Sequence, residues 1–320
     1  MRAVLLTEPI EAKDIVLTEC AIPEVKSGWV LVRVKAFGLN HSEQILRKSE
    51  ICATYIQKPI IPGIECVGEI VDASDSHFSV GEKVAALMGG MGRSFHGSYA
   101  EYALLPRHHV FSITSNLSWA QLAAVPETYF TAWGSIFECL QLKSEDTLLI
   151  RGATCALGYA AIQLAKTLGC KVLATTHREN KLFLLEQAGV DTAFLDMGSL
   201  NGNLSGVTKV LELVGAQTLL DTLQCVEKGV IVCQTGVLGG VYRLHNFDPI
   251  KDIPNGVFLT GFYSNTPTQD TMNAIFEFLN RYQLLPGIGG TYPFSQIATA
   301  CEDMDASRVN GKIVITMDLS

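Results

Sequence analysis

Residues 147–158 read Thr147-Leu148-Leu149-Ile150-Arg151-Gly152-Ala153-Thr154-Cys155-Ala156-Leu157-Gly158. The apolar run Thr147 to Arg151 has the length of a buried strand, and a helical pattern from Leu157 to Leu168 follows it at once. Small residues at such a junction let backbone N–H groups approach a pyrophosphate, and the helix N-terminus adds positive potential. The strict G-x-G-x-x-G spacing is absent. In register its first glycine is Ala153, its second Ala156, and its third Gly158 displaced by one. The candidate contacts are therefore Ala153, Thr154, Cys155, Ala156, Leu157 and Gly158. A plain small-residue turn in a protein that binds no nucleotide is the other reading.

Downstream, strands and helices alternate. Strands are expected at Lys171 to Thr176, Thr192 to Leu195, Val210 to Val214, Val230 to Gln234 and Val257 to Gly261. Helices are expected at Arg178 to Ala188, Gln217 to Val226 and Thr268 to Tyr282, the last with Met272, Ile275, Phe276 and Leu279 on one side. Such alternation implies a parallel sheet covered on both faces, and six strands fit a doubly wound dinucleotide-binding domain. Upstream, the first 120 residues read as mostly β. Val30 to Ala36 alternates in the strand manner, Glu65 to Ala73 and Glu82 to Leu87 are further runs, and glycine and proline punctuate them. After Pro286 the chain looks β-like again, ending in Lys312 to Met317. The expected division is 1–120 with 285–320 in one domain and 121–284 in the other, an α/β protein with a mostly-β companion.

The end of the second strand of the alternating region bears on the cofactor. It runs Ala174-Thr175-Thr176-His177-Arg178-Glu179-Asn180-Lys181. An NAD enzyme usually places an acid at this strand end to hold the ribose 2′-hydroxyl. Here Thr175 and Thr176 stand there, with His177, Arg178 and Lys181 beyond and Glu179 inside the expected helix. Hydroxyls with cations suit a 2′-phosphate, hence NADPH. Solvated charges on a helix face are the alternative for Arg178 and Lys181.

Composition sets the outer limits. The chain has 320 residues, 48% hydrophobic and 18% charged, enough for two cores. Its formal charge is −8 with no basic stripe, so neither nucleic acid nor a membrane surface is an expected partner. No apolar run approaches a spanning helix. Met1 to Pro9 lacks the apolar centre of a signal peptide, so a cytoplasmic location is expected. The nine cysteines include no C-x-x-C pair and read as reduced, mostly buried thiols. His108 and His109 read as a surface pair on a strand, pointing opposite ways. Arg93 and His96 lie in a glycine-rich segment that either lines a cleft mouth or is a mobile loop. No G-x-S-x-G elbow supports a serine hydrolase.

Several segments together resemble the quinone oxidoreductases of the medium-chain dehydrogenase/reductase superfamily. RGATCALGYAA over 151–161 with QLAK over 163–166 is similar to their coenzyme loop and helix. AFGLNHSE over 36–43 resembles their G-x-N-x-x-D segment with Glu43 in the Asp place, where it is expected to orient neighbouring groups. PGIECVG over 62–68, GSYAEY over 97–102, TYFTAW over 128–133 and NGKIV over 310–314 fit in the same order. The resemblance implies a GroES-like catalytic domain, a Rossmann domain and an active site in the cleft between them. It implies Asn40 near the nicotinamide ribose or carboxamide and Thr131 beside the nicotinamide. It further implies Thr235, Gly236 and Val237 bordering the cofactor, and Asn310 and Lys312 at its phosphates or ribose. Tyr55 is placed in the role of the family's tyrosine, though its spacing from the Asn segment is longer. Trp133, Tyr129 and Phe130 read either as a nicotinamide wall or as interdomain packing. A homodimer is common in the family.

Zinc alcohol dehydrogenases of this superfamily need Cys near position 39 and His at position 64. This chain has Leu39, Asn40 and Ile64, and no four-cysteine lobe. Without a Lewis acid to lower an alcohol's pKa, reduction of a conjugated acceptor is the expected chemistry. Asn40, Tyr55 and Thr131 are the expected catalytic residues, a quinone or α,β-unsaturated carbonyl the expected substrate, and no metal is expected. The reading kept beside it is an NADPH-binding redox sensor or structural protein with little turnover.

Overall fold

The computed structural model describes residues 1–200 and 204–318. In chain order it contains β1 (Arg2–Val4), β2 (Leu17–Glu19), β3 (Trp29–Gly38), α1 (His41–Lys48), β4 (Glu65–Asp72) and β5 (Lys83–Leu87). Then come β6 (Tyr102–Pro106), β7 (Val110–Ser112), α2 (Trp119–Ala123) and α3 (Pro126–Trp133), followed by a π-helical turn at Gly134–Cys139. The alternating region holds β8 (Thr147–Arg151), α4 (Ala156–Thr167), β9 (Lys171–Thr176), α5 (Leu182–Gln187), β10 (Thr192–Leu195), β11 (Lys209–Glu212), α6 (Leu219–Cys225), β12 (Ile231–Gln234), α7 (Pro249–Asp252) and β13 (Phe258–Gly261). The chain closes with α8 (Gln269–Arg281), β14 (Ile288–Pro293), α9 (Ile297–Asp305) and β15 (Lys312–Thr316). Two compact units result, Met1–Phe130 with Ser264–Ser320, and Thr131–Tyr263.

The first unit is built on a sheet ordered β14-β15-β3-β4-β5-β7, with β6 also paired to β3. Val30, Val32 and Val34 are buried while Arg33 is exposed, so one face of β3 is set by alternation. Gly68 lets β4 lie close to β3, since a Cβ there would strike the Arg33 carbonyl. The last strand, β15, joins β3 antiparallel, with Val314 opposite Gly38 and Ile315 opposite Phe37. Its position brings Lys312 beneath the start of α1.

The second unit carries a six-stranded sheet ordered β10-β9-β8-β11-β12-β13, parallel throughout. Leu148, Leu149 and Ile150 of β8, with Val210 and Leu211 of β11, are fully buried, as expected of central strands covered on both faces. The edge strands β10 and β13 are only partly buried. Strand order reverses between β8 and β11. The crevice at a parallel sheet's carboxyl ends beside such a switch is where ligands of doubly wound folds bind.

The structure corrects several local expectations. Residues 297–305 form a helix within the stretch expected to be β, burying Ile297, Ala300 and Cys301 on one face. Helix α1 also interrupts the mostly-β region, and it buries Glu43 and Arg47 as well as Leu46. The helix expected from Arg178 opens as a 3₁₀ turn over Glu179–Lys181 and becomes α-helical only at Leu182. His108 and His109 lie in a 3₁₀ turn, not a strand, and their rings stand 4.5 Å apart instead of pointing opposite ways.

Candidate active site

In the second unit, the turn after β8 is fixed by strand β9. Gly152, at φ 80°, donates its N–H to Thr175 Oγ1 at 3.0 Å, and Ala153 donates to the Thr175 carbonyl at 2.8 Å. Cys155 is the N-cap of α4, and its Sγ accepts the Gly158 N–H at 3.4 Å. Burial pushes this thiol up, against the opposing effect of the Gly158 and Leu157 N–H groups. Gly158 is required sterically, because a Cβ there would overlap the Ala153 carbonyl. Ala153 and Gly158 are buried, whereas Thr154, Cys155, Ala156 and Leu157 remain partly open to solvent. Thr154 Oγ1 meets Thr176 Oγ1 at 3.2 Å, joining the loop to the end of β9.

Beyond Thr176 stand His177, Arg178 and Lys181, with Glu179 exposed on the 3₁₀ turn among them. Arg178 donates its backbone N–H to Thr176 Oγ1 at 3.3 Å and its Nε–H to His177 Nε2 at 3.2 Å. His177 is held below its ordinary value by partial burial and then by the Arg178 and Lys181 charges. Lys181 is lowered by burial and by Arg178, with Cys155 acting the other way. A proton on His177 thus adds to a field that is already positive. Asp196, just past β10, is the buried acid at this edge, and Arg151 claims it through Nε at 2.7 Å and Nη2 at 3.1 Å.

Thr131 and Thr235 come together through Ser135. The Ser135 hydroxyl donates to the Thr131 carbonyl at 2.7 Å and lies 2.9 Å from Thr235 Oγ1. Thr235 and Gly236 donate backbone N–H groups to the Glu212 carbonyl, at 3.1 and 3.0 Å. Gly236 packs where a Cβ would enter the Leu213 backbone, and Val237 beside it is half-buried.

In the first unit, Asn40 caps α1, and its N–H is received by Glu43 Oε2 at 2.9 Å. Its side chain is held at both ends. Nδ2 donates to Glu65 Oε1 at 2.9 Å, and Oδ1 accepts from Lys312 Nζ at 2.6 Å. Lys312 and Glu65, 2% and 0% exposed, are themselves paired at 2.6 Å, and Glu65 Oε2 takes the Glu127 N–H at 2.8 Å. Gly38 makes room, since a Cβ there would overlap both side chains. The Lys312 ammonium is engaged inside the domain by Glu65 and Asn40. Asn310 Oδ1 is buried with no hydrogen-bond partner among the described residues.

Glu43 also accepts the Ile64 N–H at 2.9 Å, and burial raises its carboxyl. Tyr55 is 64% exposed and donates its hydroxyl to Glu50 Oε1 at 2.8 Å. Glu50 pairs in turn with Arg93 at 2.9 Å, and Arg93 also holds the Ser42 carbonyl and hydroxyl. His96 accepts the Ile61 N–H at Nδ1, and burial lowers its pKa. Tyr129 and Phe130 are buried, and the Trp133 ring packs on Phe137 at 4.3 Å.

Two families match the chain in order. The alcohol dehydrogenase GroES-like domain matches residues 26–115, and the zinc-binding dehydrogenase family matches residues 189–315. The human protein named quinone oxidoreductase is 27% identical over 314 residues, covering 94% of this chain and 92% of its own length. This chain belongs to the medium-chain dehydrogenase/reductase superfamily, in its quinone oxidoreductase-like branch. Among solved structures, AibC superposes with a TM-score of 0.87 at 24% identity, over 100% of this chain and 96% of the other. A mycobacterial relative solved with NADPH gives 0.84 at 21%, over 99% and 100%. At these identities the structures speak for the fold: a GroES-like domain with a Rossmann-type sheet.

One matching family of this dehydrogenase/reductase chain is named for zinc, yet Leu39 and Ile64 carry no ligand atoms at the expected positions. Among the described residues no three His, Cys, Asp or Glu side chains converge. Sequence reasoning missed the supporting charges of the dehydrogenase/reductase scaffold. Arg151, fully buried, binds Asp196, Asp221 at 2.8 Å, and the Thr218 carbonyl. Glu212, also fully buried, accepts from Thr218, Thr222, Val214 and Gly215. A signal was present: TLLIR and KVLE each end an apolar strand on a charge, both at the same sheet edge.

Proposed function

We propose that this oxidoreductase uses NADPH to reduce a quinone or α,β-unsaturated carbonyl, without zinc. The observation that carries the reading is the strand end of β9, where Thr176, His177, Arg178 and Lys181 gather, with Thr175 and Thr176 in the place where an NAD enzyme usually carries an acid. The chain's cradle fits such a nucleotide: Gly158 lets α4 start against the Ala153 carbonyl, and burial together with the Arg178 charge lowers His177 and Lys181, an effect that a bound anion would offset. On this reading Ala153, Thr154, Cys155, Ala156, Leu157 and Gly158 hold the diphosphate. Thr176, His177, Arg178 and Lys181 hold the 2′-phosphate. Thr131, Thr235, Gly236, Val237, Asn40 and Asn310 border the remainder.

The bound dinucleotide supplies a hydride. The chain's own work is orientation. The Lys312 ammonium at Oδ1 and the Glu65 carboxylate at Nδ2 leave the Asn40 amide one orientation, so a polar group reaching it meets a fixed donor. Ser135 does the same for the Thr235 hydroxyl. The acceptor oxygen takes its proton from water or from a hydroxyl such as that of Tyr55, which its bond to Glu50 keeps protonated above the ordinary phenol range.

The test is steady-state oxidation of NADPH and NADH with a panel of quinones and enones, alongside elemental analysis. Turnover preferring NADPH in metal-free protein is the expected result. Stoichiometric zinc, or no binding of either nucleotide, would overturn the reading. Tight NADPH binding with no turnover on any acceptor would move the protein to the sensor class.

A further inference from the structure

The turn that carries Ser135 also carries a thiol. Gly134–Cys139 is wound as a π-helix, with Leu140 N–H returning to the Ser135 carbonyl at 2.9 Å, five residues back. Such widened turns in α-helices recur at functional sites. Its first residue is a glycine because the Phe262 ring occupies the space of a Cβ. Ser135 and Cys139 are four residues apart and both face the carboxyl ends of β12 and β13. Ser135 meets Thr235, and Cys139 Sγ lies 3.5 Å from the Gly261 carbonyl.

Between those two contacts stands Cys233. It occupies β12 beside Thr260 of β13, one register step before the Gln234–Gly261 pair. Its Sγ lies 3.3 Å from Thr235 Oγ1. Thr235 Oγ1 in turn lies 2.9 Å from the Ser135 hydroxyl, one turn before Cys139. Two thiols from segments far apart in sequence therefore lie at the same strand ends, Cys233 on the Thr235 hydroxyl and Cys139 on the carbonyl of Gly261, the residue after the strand partner of Cys233. Cys139 is partly exposed and Cys233 fully buried.

We propose that Cys139 and Cys233 are a site of reversible oxidation, closed to a disulfide by a hydroperoxide. The partly exposed sulfur of Cys139 attacks the peroxide. The O–O bond breaks, an alcohol or water leaves, and Cys139 becomes a sulfenic acid. The Cys233 sulfur then attacks that sulfur. The S–S bond forms, the S–O bond breaks, and hydroxide leaves with the Cys233 proton as water. Two thiols are oxidised and one peroxide is reduced. Burial holds the Cys233 thiol up at about 12, so the second step quickens as pH rises.

Closure draws Cys233 away from the Thr235 hydroxyl and disturbs the Thr131–Ser135–Thr235 chain. Resting on the NADPH reading above, the oxidised form binds the nucleotide more weakly, by about tenfold.

The intact protein is treated with hydrogen peroxide, the remaining thiols are alkylated, and non-reduced tryptic peptides are mapped by mass. The expected product joins the Cys139 and Cys233 peptides within one chain, reverts with dithiothreitol, and is absent from Cys139→Ser. Recovery of both cysteines alkylated, a different pairing, or Cys139 stopped at the sulfinic acid would overturn the proposal. NADPH affinity is measured before and after oxidation. A cross-link without a change in affinity overturns the control of binding. A chain that binds no nucleotide even when reduced, yet cross-links, sinks the earlier reading and leaves the thiol site standing.

Discussion

Around Asn40, each buried charge faces its opposite or a set of N–H groups: Lys312 lies on Glu65, and Glu43 receives the Asn40 and Ile64 N–H groups. At the end of β9, Arg178, Lys181 and His177 gather with Glu179 exposed among them, and the buried acid nearby, Asp196, is already bound by Arg151. The first arrangement cancels its charge internally and holds a side chain still. The second leaves a surplus of one sign, and a surplus at a crevice calls for a ligand that carries the other. Perturbed groups thus occur in both units, and the two clusters differ in the sum of their local charge.

Breaking the cancelled cluster should have the largest effect. Lys312→Met strands the Glu65 carboxylate and should cost about 3–5 kcal/mol of stability in urea unfolding. Adding Glu65→Gln should return much of that loss. A cost under about 1 kcal/mol, the range of a surface pair, would erase the contrast drawn here.

The surplus cluster should behave in the other way. Arg178→Ala and Lys181→Ala should each weaken NADPH about tenfold, near the low end for a charge-assisted contact. NADH affinity should stay level, and stability should move by no more than about 0.5 kcal/mol. The NADPH effect should shrink as salt is raised, since these groups are partly exposed. Equal losses for both nucleotides would place these cations outside the 2′-phosphate site.

A smaller effect is expected in pH dependence. Burial lowers His41, next to Asn40, below the ordinary imidazole range. The native state then stays neutral at pH values where the unfolded chain takes a proton, so the unfolded state binds more protons there. Stability should fall as pH drops below about 6.5 toward the native value. His41→Gln should flatten this slope in urea unfolding followed across that pH range. An unchanged slope would show that another group sets it.

The parallel sheet was legible because its strands are continuous apolar runs between turn signals, and β8, β9 and β10 start and end where the pattern puts them. α9 was not, since IATACEDMD offers only Ile297, Ala300 and Cys301 to the core among acids and small residues. α1 was hidden for a related reason: part of its buried face is Glu43 and Arg47, which pattern reading assigns to solvent. At the candidate site, the loop and the cation cluster are local in sequence and could be read from spacing. Lys312 could not, because its partner Asn40 lies 272 residues away and the strand pairing of β15 decides their meeting. Cys139 and Cys233 are hidden in the same way, on a turn and a strand that meet only in the folded chain.

The return of β15 to β3 also sets a timetable. A ribosome releases residues 131–263 before Lys312 leaves its exit tunnel, so the inserted unit can finish folding while the surrounding one still lacks a strand. During that interval Glu65 has no cation to meet and the β3 edge stands open. That interval lasts until β15 has emerged, and the same lysine that orients Asn40 is the latch that ends the wait.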